Sequence, residues 1–229
     1  MSNSSSVGPA SFTAAASPLA PHASVASWLS VLFVLLMLLA TVGGYVRLSG
    51  SGLSIPDWPV IKVGDSWSLL PPTDEAGWAS VKQRYDVDQA ELALKERRGA
   101  IGMGSLGAYP RDMAGFKRMF LIEWGHRFAA ALVAIVAAGC LTVVLRKPGL
   151  RQRIGPVFAA ACGLIVVQAL VGGMLVKSGT ATHWLFVHLG IAAIIIALIV
   201  WSILRLVHDP AQRPDAATLA ARRPLARAA

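Results

Sequence analysis

Five side chains able to do chemistry stand inside or at the edge of long apolar stretches of this chain: Glu123, His126, Arg127, Gln168 and His188. A polar or ionisable group within an apolar span is costly and marks a functional hypothesis by default. Glu123 and His126 are three residues apart and Arg127 lies four beyond Glu123, so on a helix the three share a face. His188 belongs to a separate stretch. A neutral imidazole is a metal ligand or a hydrogen-bonding group, and a carboxylate in low dielectric can hold or release a proton. Spacing alone slightly favours a structural Glu123–Arg127 ion pair. Gln168, and either histidine taken singly, reads first as a group that hydrogen-bonds a neighbouring helix.

These residues need helices to carry them. A bilayer core of ~30 Å is crossed by about 20 apolar residues in helical form. Four stretches qualify, 28–46, 120–145, 154–176 and 184–204. The first lacks a basic leader, and its apolar run is longer than that of a signal peptide, so it reads as a retained helix. The predicted fold class is all-α, an integral membrane four-helix bundle with a long outer loop (49–119) between helices one and two. The membrane domain covers 25–208. It is flanked by tails expected to be disordered: 1–24, rich in Ser, Ala and Pro without a charged residue, and 209–229.

Short basic loops set the orientation. Arg146, Lys147, Arg151 and Arg153 crowd the connection between spans two and three, and Arg205, Arg213, Arg222, Arg223 and Arg227 follow span four. Both termini are therefore expected in the cytoplasm, with the chain in the cell's inner (plasma) membrane and loop 49–119 outside. That loop holds nine Lys/Arg and nine Asp/Glu, and long loops cross regardless of charge. Within it, Asp88 to Arg98 suits a short amphipathic helix on the membrane face, and Gly99 to Gly107 an irregular segment.

This topology fixes the depth of the histidines. His126 lies about six residues from the outer end of span two, ~9 Å, and His188 four to five residues from that of span four, roughly 7 Å. Both belong to the outer leaflet, and helices two and four can face each other across a bundle. Two imidazoles at one depth can ligate a single haem iron axially. His183 is roughly 140° around the helix from His188, at the outer boundary, and is the weaker candidate. Arg47, Arg127 and Lys177 fall near the outer surface. Each reads as a snorkelling anchor, and together they can pair with haem propionates, which prefer the aqueous edge. Spans two and three are rich in Ala and Gly, which suits either close helix approach or room for a flat porphyrin.

Composition excludes other classes. The chain has 229 residues, 55% hydrophobic and only 14% charged, with mean hydropathy +0.59; soluble domains carry about a quarter charged residues. The net charge of +9 gathers beside apolar spans and lacks the aromatic-basic pattern of a nucleic-acid module, so no nucleic-acid partner is expected. Cys140 and Cys162 form neither C-x-x-C nor C-x-x-C-H. Covalent haem attachment and a thiol metal site are thereby disfavoured, and both read as packing residues. A cytochrome with one haem per leaflet needs a histidine pair at each depth, and the inner halves of the spans carry none. No broken-helix pair points to a transporter.

Four segments carry a resemblance: GGYVRLSGSGLSIPDWP (43–59), FKRMFLIEWGHR (116–127), QALVGGMLVKSG (168–179) and HWLFVHLG (183–190). In order, spacing and helix placement they resemble the haem A synthase family, also called COX15/CtaA, over roughly residues 40–205. The second contains that family's E-W-x-H-R signature. The resemblance implies an oxidoreductase that converts haem O to haem A by oxidising a ring methyl to a formyl group, for terminal oxidase assembly. It implies His126 and His188 as axial ligands of a haem (haem b, or haem O/A), Glu123 as the functional acid, and a separate electron donor. Members usually have eight helices in two halves, each offering a histidine pair. This chain resembles one half, so a homodimer or a second half-length subunit is implied. Two further departures are a missing Gly-Arg after His126-Arg127, where 128–132 read Phe-Ala-Ala-Ala-Leu, and the lack of a cysteine pair in the outer loop. The alternative is a non-catalytic haem-binding assembly factor or a b-type electron-transfer subunit.

Overall fold

The computed structural model describes residues 20–97, 112–179 and 181–208. The expected disorder at 1–19 and 209–229 and the expected irregular segment at 99–107 lie outside the described residues. The elements are α1 (Ala20–Leu48), a 3-10 turn (Ser51–Leu53), a hairpin of β1 (Ile61–Val63) and β2 (Ser66–Ser68), α2 (Glu75–Arg97), α3 (Met113–Arg146), α4 (Pro148–Lys177) and α5 (Thr182–Val207). Four stretches, Ser24–Leu48, Met113–Arg146, Pro148–Lys177 and Thr182–Val207, are long and apolar enough to cross a membrane. The chain is a multi-pass membrane protein. Large apolar side chains such as Trp28, Leu38, Ile135, Val166 and Phe186 are exposed along these helices, as a lipid-facing surface requires.

Every membrane helix runs past its predicted ends, because hydropathy sees only the part that needs lipid. α1 begins at Ala20, inside the segment expected to lack structure. It ends where Gly50 takes φ 71 and its N–H reaches back to the Arg47 carbonyl, a conformation open to glycine. α3 begins at Met113, about two turns before the predicted boundary. Asp112 caps it by accepting a hydrogen bond from the Gly115 N–H at 2.9 Å. The added turns bury Phe116 and Met119.

α1 packs on α3 and α5, and α4 packs on the same two helices. The bundle is therefore a square in which α3 and α5 stand on one diagonal and α1 and α4 on the other. Two apolar cores lie at different heights. The larger includes Leu29, Leu32, Val133, Ala137, Ile154, Phe158, Ile195 and Ile199, from all four helices, in the half away from the outer loop. The smaller sits in the outer loop layer and joins Ile55, Ile61, Trp78, Val81, Tyr85, Phe116 and Phe120.

That outer layer holds the largest departure from expectation. α2 spans Glu75–Arg97 instead of starting at Asp88. Asp74 caps it, with Oδ1 accepting from the Gly77 N–H at 2.7 Å, and Trp78, Val81, Tyr85 and Leu92 are buried at helical spacing along one side. The hairpin was not expected either. Its signal is Gly64-Asp65 between two short runs, with Gly64 at φ 57 and Val63 paired to Ser66.

The loop between α1 and the hairpin folds inward over the bundle. Ser51, Leu53, Ser54 and Ile55 are buried. Arg127 donates from Nη2 to the Ile55 carbonyl at 2.8 Å and from Nη1 to the Asp57 carbonyl at 2.6 Å. Trp124 Nε1 donates to the Leu69 carbonyl at 2.9 Å. The Asp57 carboxylate accepts from Arg84 of α2 and from the Lys62 N–H. The Trp58 indole lies directly on Gly173 of α4, where a Cβ would stand 2.7 Å from Trp58 Cδ2. Gly173→Ala is accordingly expected to unseat Trp58. Limited proteolysis should then cut the 50–60 region several-fold faster than in the unsubstituted chain, and unchanged cleavage would show that the indole does not hold this loop down.

Candidate functional site

Between the two apolar cores lies a layer of polar and small residues. His126 on α3 and His188 on α5 occupy diagonally opposite helices. Each ring lies against a glycine of the other diagonal. A Cβ on Gly43 of α1 would stand 3.0 Å from His126 Nε2, and one on Gly172 of α4 would stand 3.3 Å from His188 Cε1 and 3.8 Å from its Nδ1. Both imidazoles are half-buried and rest against neighbouring helices. His183, by contrast, is exposed with its ring against Trp184.

Glu123 is buried, at 3% exposure, one helical turn before His126. Its Oε1 accepts a hydrogen bond from Arg127 Nε at 2.8 Å, the ion pair that spacing favoured. Its Oε2 is buried without a partner, beneath the overlying loop, where a Cβ on Gly52 would stand 3.5 Å away. A carboxylate in such a setting is poorly screened, so the paired guanidinium is what makes its burial tolerable.

The three cations of the outer edge have different surroundings. Each nitrogen of the Arg127 guanidinium has a partner in the protein, Glu123 or the loop carbonyls. Arg47, at the end of α1, keeps a buried Nε without a partner. Lys177 is exposed at the end of α4. The hydrogen bond expected from Gln168 to a neighbouring helix is not formed: its Oε1 is buried and unpartnered. Cys140 and Cys162 are free thiols, half-buried against the inner core, with Cys162 Sγ 3.7 Å from the Ala137 carbonyl.

Buried polar atoms in folded proteins are nearly always paired, so each exception asks for an explanation. Here Arg47 Nε, Glu123 Oε2, Gln168 Oε1 and His188 Nδ1 are all unpaired and belong to this one layer. Two imidazoles on diagonal helices, glycines against their edges, an acid one turn before His126 and cations toward the loop side fit a flat, iron-bearing group with carboxylates on one edge. Sequence reasoning singled out the imidazoles, the acid and the cations as candidates. It missed Gly43 and Gly172 as the surfaces behind the rings, and Trp58, Ile55 and Asp57 as the cover. The Gly43-Gly44 and Gly172-Gly173 pairs inside apolar helices were the available signal, since glycine there marks close approach.

Comparison with known proteins adds an independent line. The family model COX15-CtaA, described as cytochrome oxidase assembly protein, matches residues 26–229. The chain is 32% identical over 204 residues to the Heme A synthase of Paracoccus denitrificans (strain Pd 1222), covering 86% of this chain and 47% of that relative. It is 31% identical over 194 residues to the Heme A synthase of Ruegeria pomeroyi (80% and 46% covered) and 31% over 187 residues to that of Caulobacter vibrioides (79% and 49%). The chain thus spans about half the length of the curated relatives it matches. No solved structure matches it. With a family match running through all four membrane helices and this level of identity, the chain belongs to the COX15-CtaA family of cytochrome oxidase assembly proteins.

Proposed function

We propose that the chain holds haem between His126 and His188 and, like the relatives named Heme A synthase, acts as an oxidoreductase on haem O, converting a ring methyl to a formyl group for terminal oxidase assembly. The observation that carries this reading is the pair of imidazoles on diagonal helices, each with a nitrogen-bearing edge against a glycine that leaves room beside it, at the level of buried polar atoms without partners. The site lies at the loop end of a membrane domain covering 25–208. By the basic loops this end is the outer one, and both termini lie on the cytoplasmic side of the plasma membrane.

Replacing two hydrogens of a methyl group by one oxygen is a four-electron oxidation; with dioxygen as oxidant and a separate electron donor it balances as R–CH3 + 2 O2 + 4 e− + 4 H+ giving R–CHO + 3 H2O, so protons must be delivered to the site. A bound haem supplies the redox-active iron and, in haem O, the methyl itself. The protein's share is positioning and proton handling. His126 and His188 would hold the iron. Arg127 holds Glu123 by Oε1, which leaves Oε2 free to take and pass a proton. Arg47 and Lys177 would pair with propionate carboxylates, and Trp58 and Ile55, in the loop folded over the bundle, would keep water out. The chain carries one such histidine pair, and a second copy of it, or a second half-length subunit, completes the two-site arrangement of its longer relatives.

Three measurements test this. In the visible spectrum of the purified protein, His126→Ala and His188→Ala should each abolish the low-spin haem signal; a signal that survives both changes overturns axial ligation by this pair. Co-expression with a haem O supply should yield extractable haem A. Glu123→Gln should keep the low-spin spectrum but cut that yield at least tenfold, consistent with the usual scale of acid–base assistance. Recovery of haem b and unmodified haem O alone from the unsubstituted chain would instead indicate a non-catalytic haem-binding assembly factor or a b-type electron-transfer subunit. Gly43→Val should displace the His126 ring and weaken or shift the low-spin band while helix content by circular dichroism is unchanged; an unaltered band would mean that Gly43 has no part in seating His126.

A further inference from the structure

α4 presents one interior stripe along the bundle. Phe158 and Ala161 lie in the inner core, Ile165 packs against it, and Gly172 meets the His188 ring. Gln168 falls between these on the same stripe, and it is the strongly polar side chain of an otherwise apolar span. It lies four residues deeper than Gly172, about 6 Å along the helix axis. Its Cβ leans further the same way, because side chains tilt toward the helix N-terminus and that end of α4 is the one remote from the outer loop. The Oε1 atom is buried and unpartnered. The amide therefore stands on the floor of the layer, directly above the apolar core, below the level of the imidazoles.

A porphyrin whose propionates meet Arg47 and Lys177 at the loop edge turns its opposite edge to this floor. In haem b that edge bears only hydrocarbon groups. In haem O it bears a long isoprenoid chain attached through a carbon that carries a hydroxyl. A side-chain amide in apolar surroundings suits that hydroxyl, and a site built to hydrogen-bond a hydroxyl rejects an analogue lacking it far more strongly than an apolar pocket can. We propose that Gln168 is a specificity-determining residue, its Oε1 accepting a hydrogen bond from the hydroxyl of the isoprenoid-bearing side chain of haem O, so that this site prefers haem O to haem b. The inference rests on the haem reading above and deepens it by naming what selects the substrate.

The test is titration of the purified, haem-free full-length chain in detergent with haem O and, separately, with haem b, following the low-spin band. The unsubstituted chain should bind haem O at least tenfold more tightly than haem b. Gln168→Leu, which keeps the volume but removes the amide, should bring the ratio close to one through loss of haem O affinity, with haem b affinity and the shape of the band unchanged. Gln168→Asn, which shortens the amide, should fall between, and serves alone if the Leu variant does not fold. An unchanged ratio in the variants, or an equal fall in both affinities, overturns the role of Gln168 and leaves haem binding standing. Failure of the unsubstituted chain to bind either haem overturns both.

Discussion

The guanidinium of Arg127 is the contact on which the arrangement turns. On one side it neutralises a buried carboxylate, Glu123, through a 2.8 Å hydrogen bond. On the other it gives donors to the carbonyls of Ile55 and Asp57, some seventy residues earlier in the chain. Each role supports the other. Without the loop carbonyls the guanidinium would hold only one anion and its two Nη groups would be unmatched. Without Arg127 the buried acid would be uncompensated, a loss on the order of 3–5 kcal/mol for a buried pair. Asp57 extends the connection, since its carboxylate accepts from Arg84 of α2 and from the Lys62 N–H. A single cation thus joins a membrane helix, a re-entrant loop and a helix outside the bilayer.

Different forces assemble the two halves of the molecule. In the outer layer, Trp78, Tyr85, Phe116 and Phe120 come together out of water, and burying each aromatic there stabilises by roughly 2–3 kcal/mol. In the bundle no such drive exists, because lipid tails are as apolar as leucine, and packing decides. Phe158 is fully buried, and Ala161 and Ala137 let α3 and α4 come close. Between these firm regions the residues are small or polar and leave atoms unpaired. This middle layer is held from above and below by the two apolar cores.

Glu123, Trp124, His126 and Arg127 are neighbours in sequence but divide the work by azimuth. His126 lies against Gly43 of α1, Glu123 is buried one turn before it, and Trp124 and Arg127 reach to the loop and fasten it. This stretch thus joins a half-buried imidazole, a buried acid and the two side chains that fasten the loop above them. The two cysteines stand apart from this division, packed at the inner core.

The four spans and the all-α class were legible in the sequence because they depend on local quantities: run length, residue type and rise per residue. The Glu123–Arg127 pair was legible for the same reason, being one helical turn long. What sequence reasoning missed is non-local. The early start of α2 and the hairpin at 61–68 lie in a charge-balanced loop, where hydropathy is silent and only the buried face of Trp78, Val81 and Tyr85 reveals the helix. Which glycine backs which histidine, and which indole covers Gly173, depends on how helices distant in sequence are set against each other. The unpaired state of Gln168 is of that kind too: a residue type announces that it needs a partner, but only the packed structure decides whether the protein itself provides one.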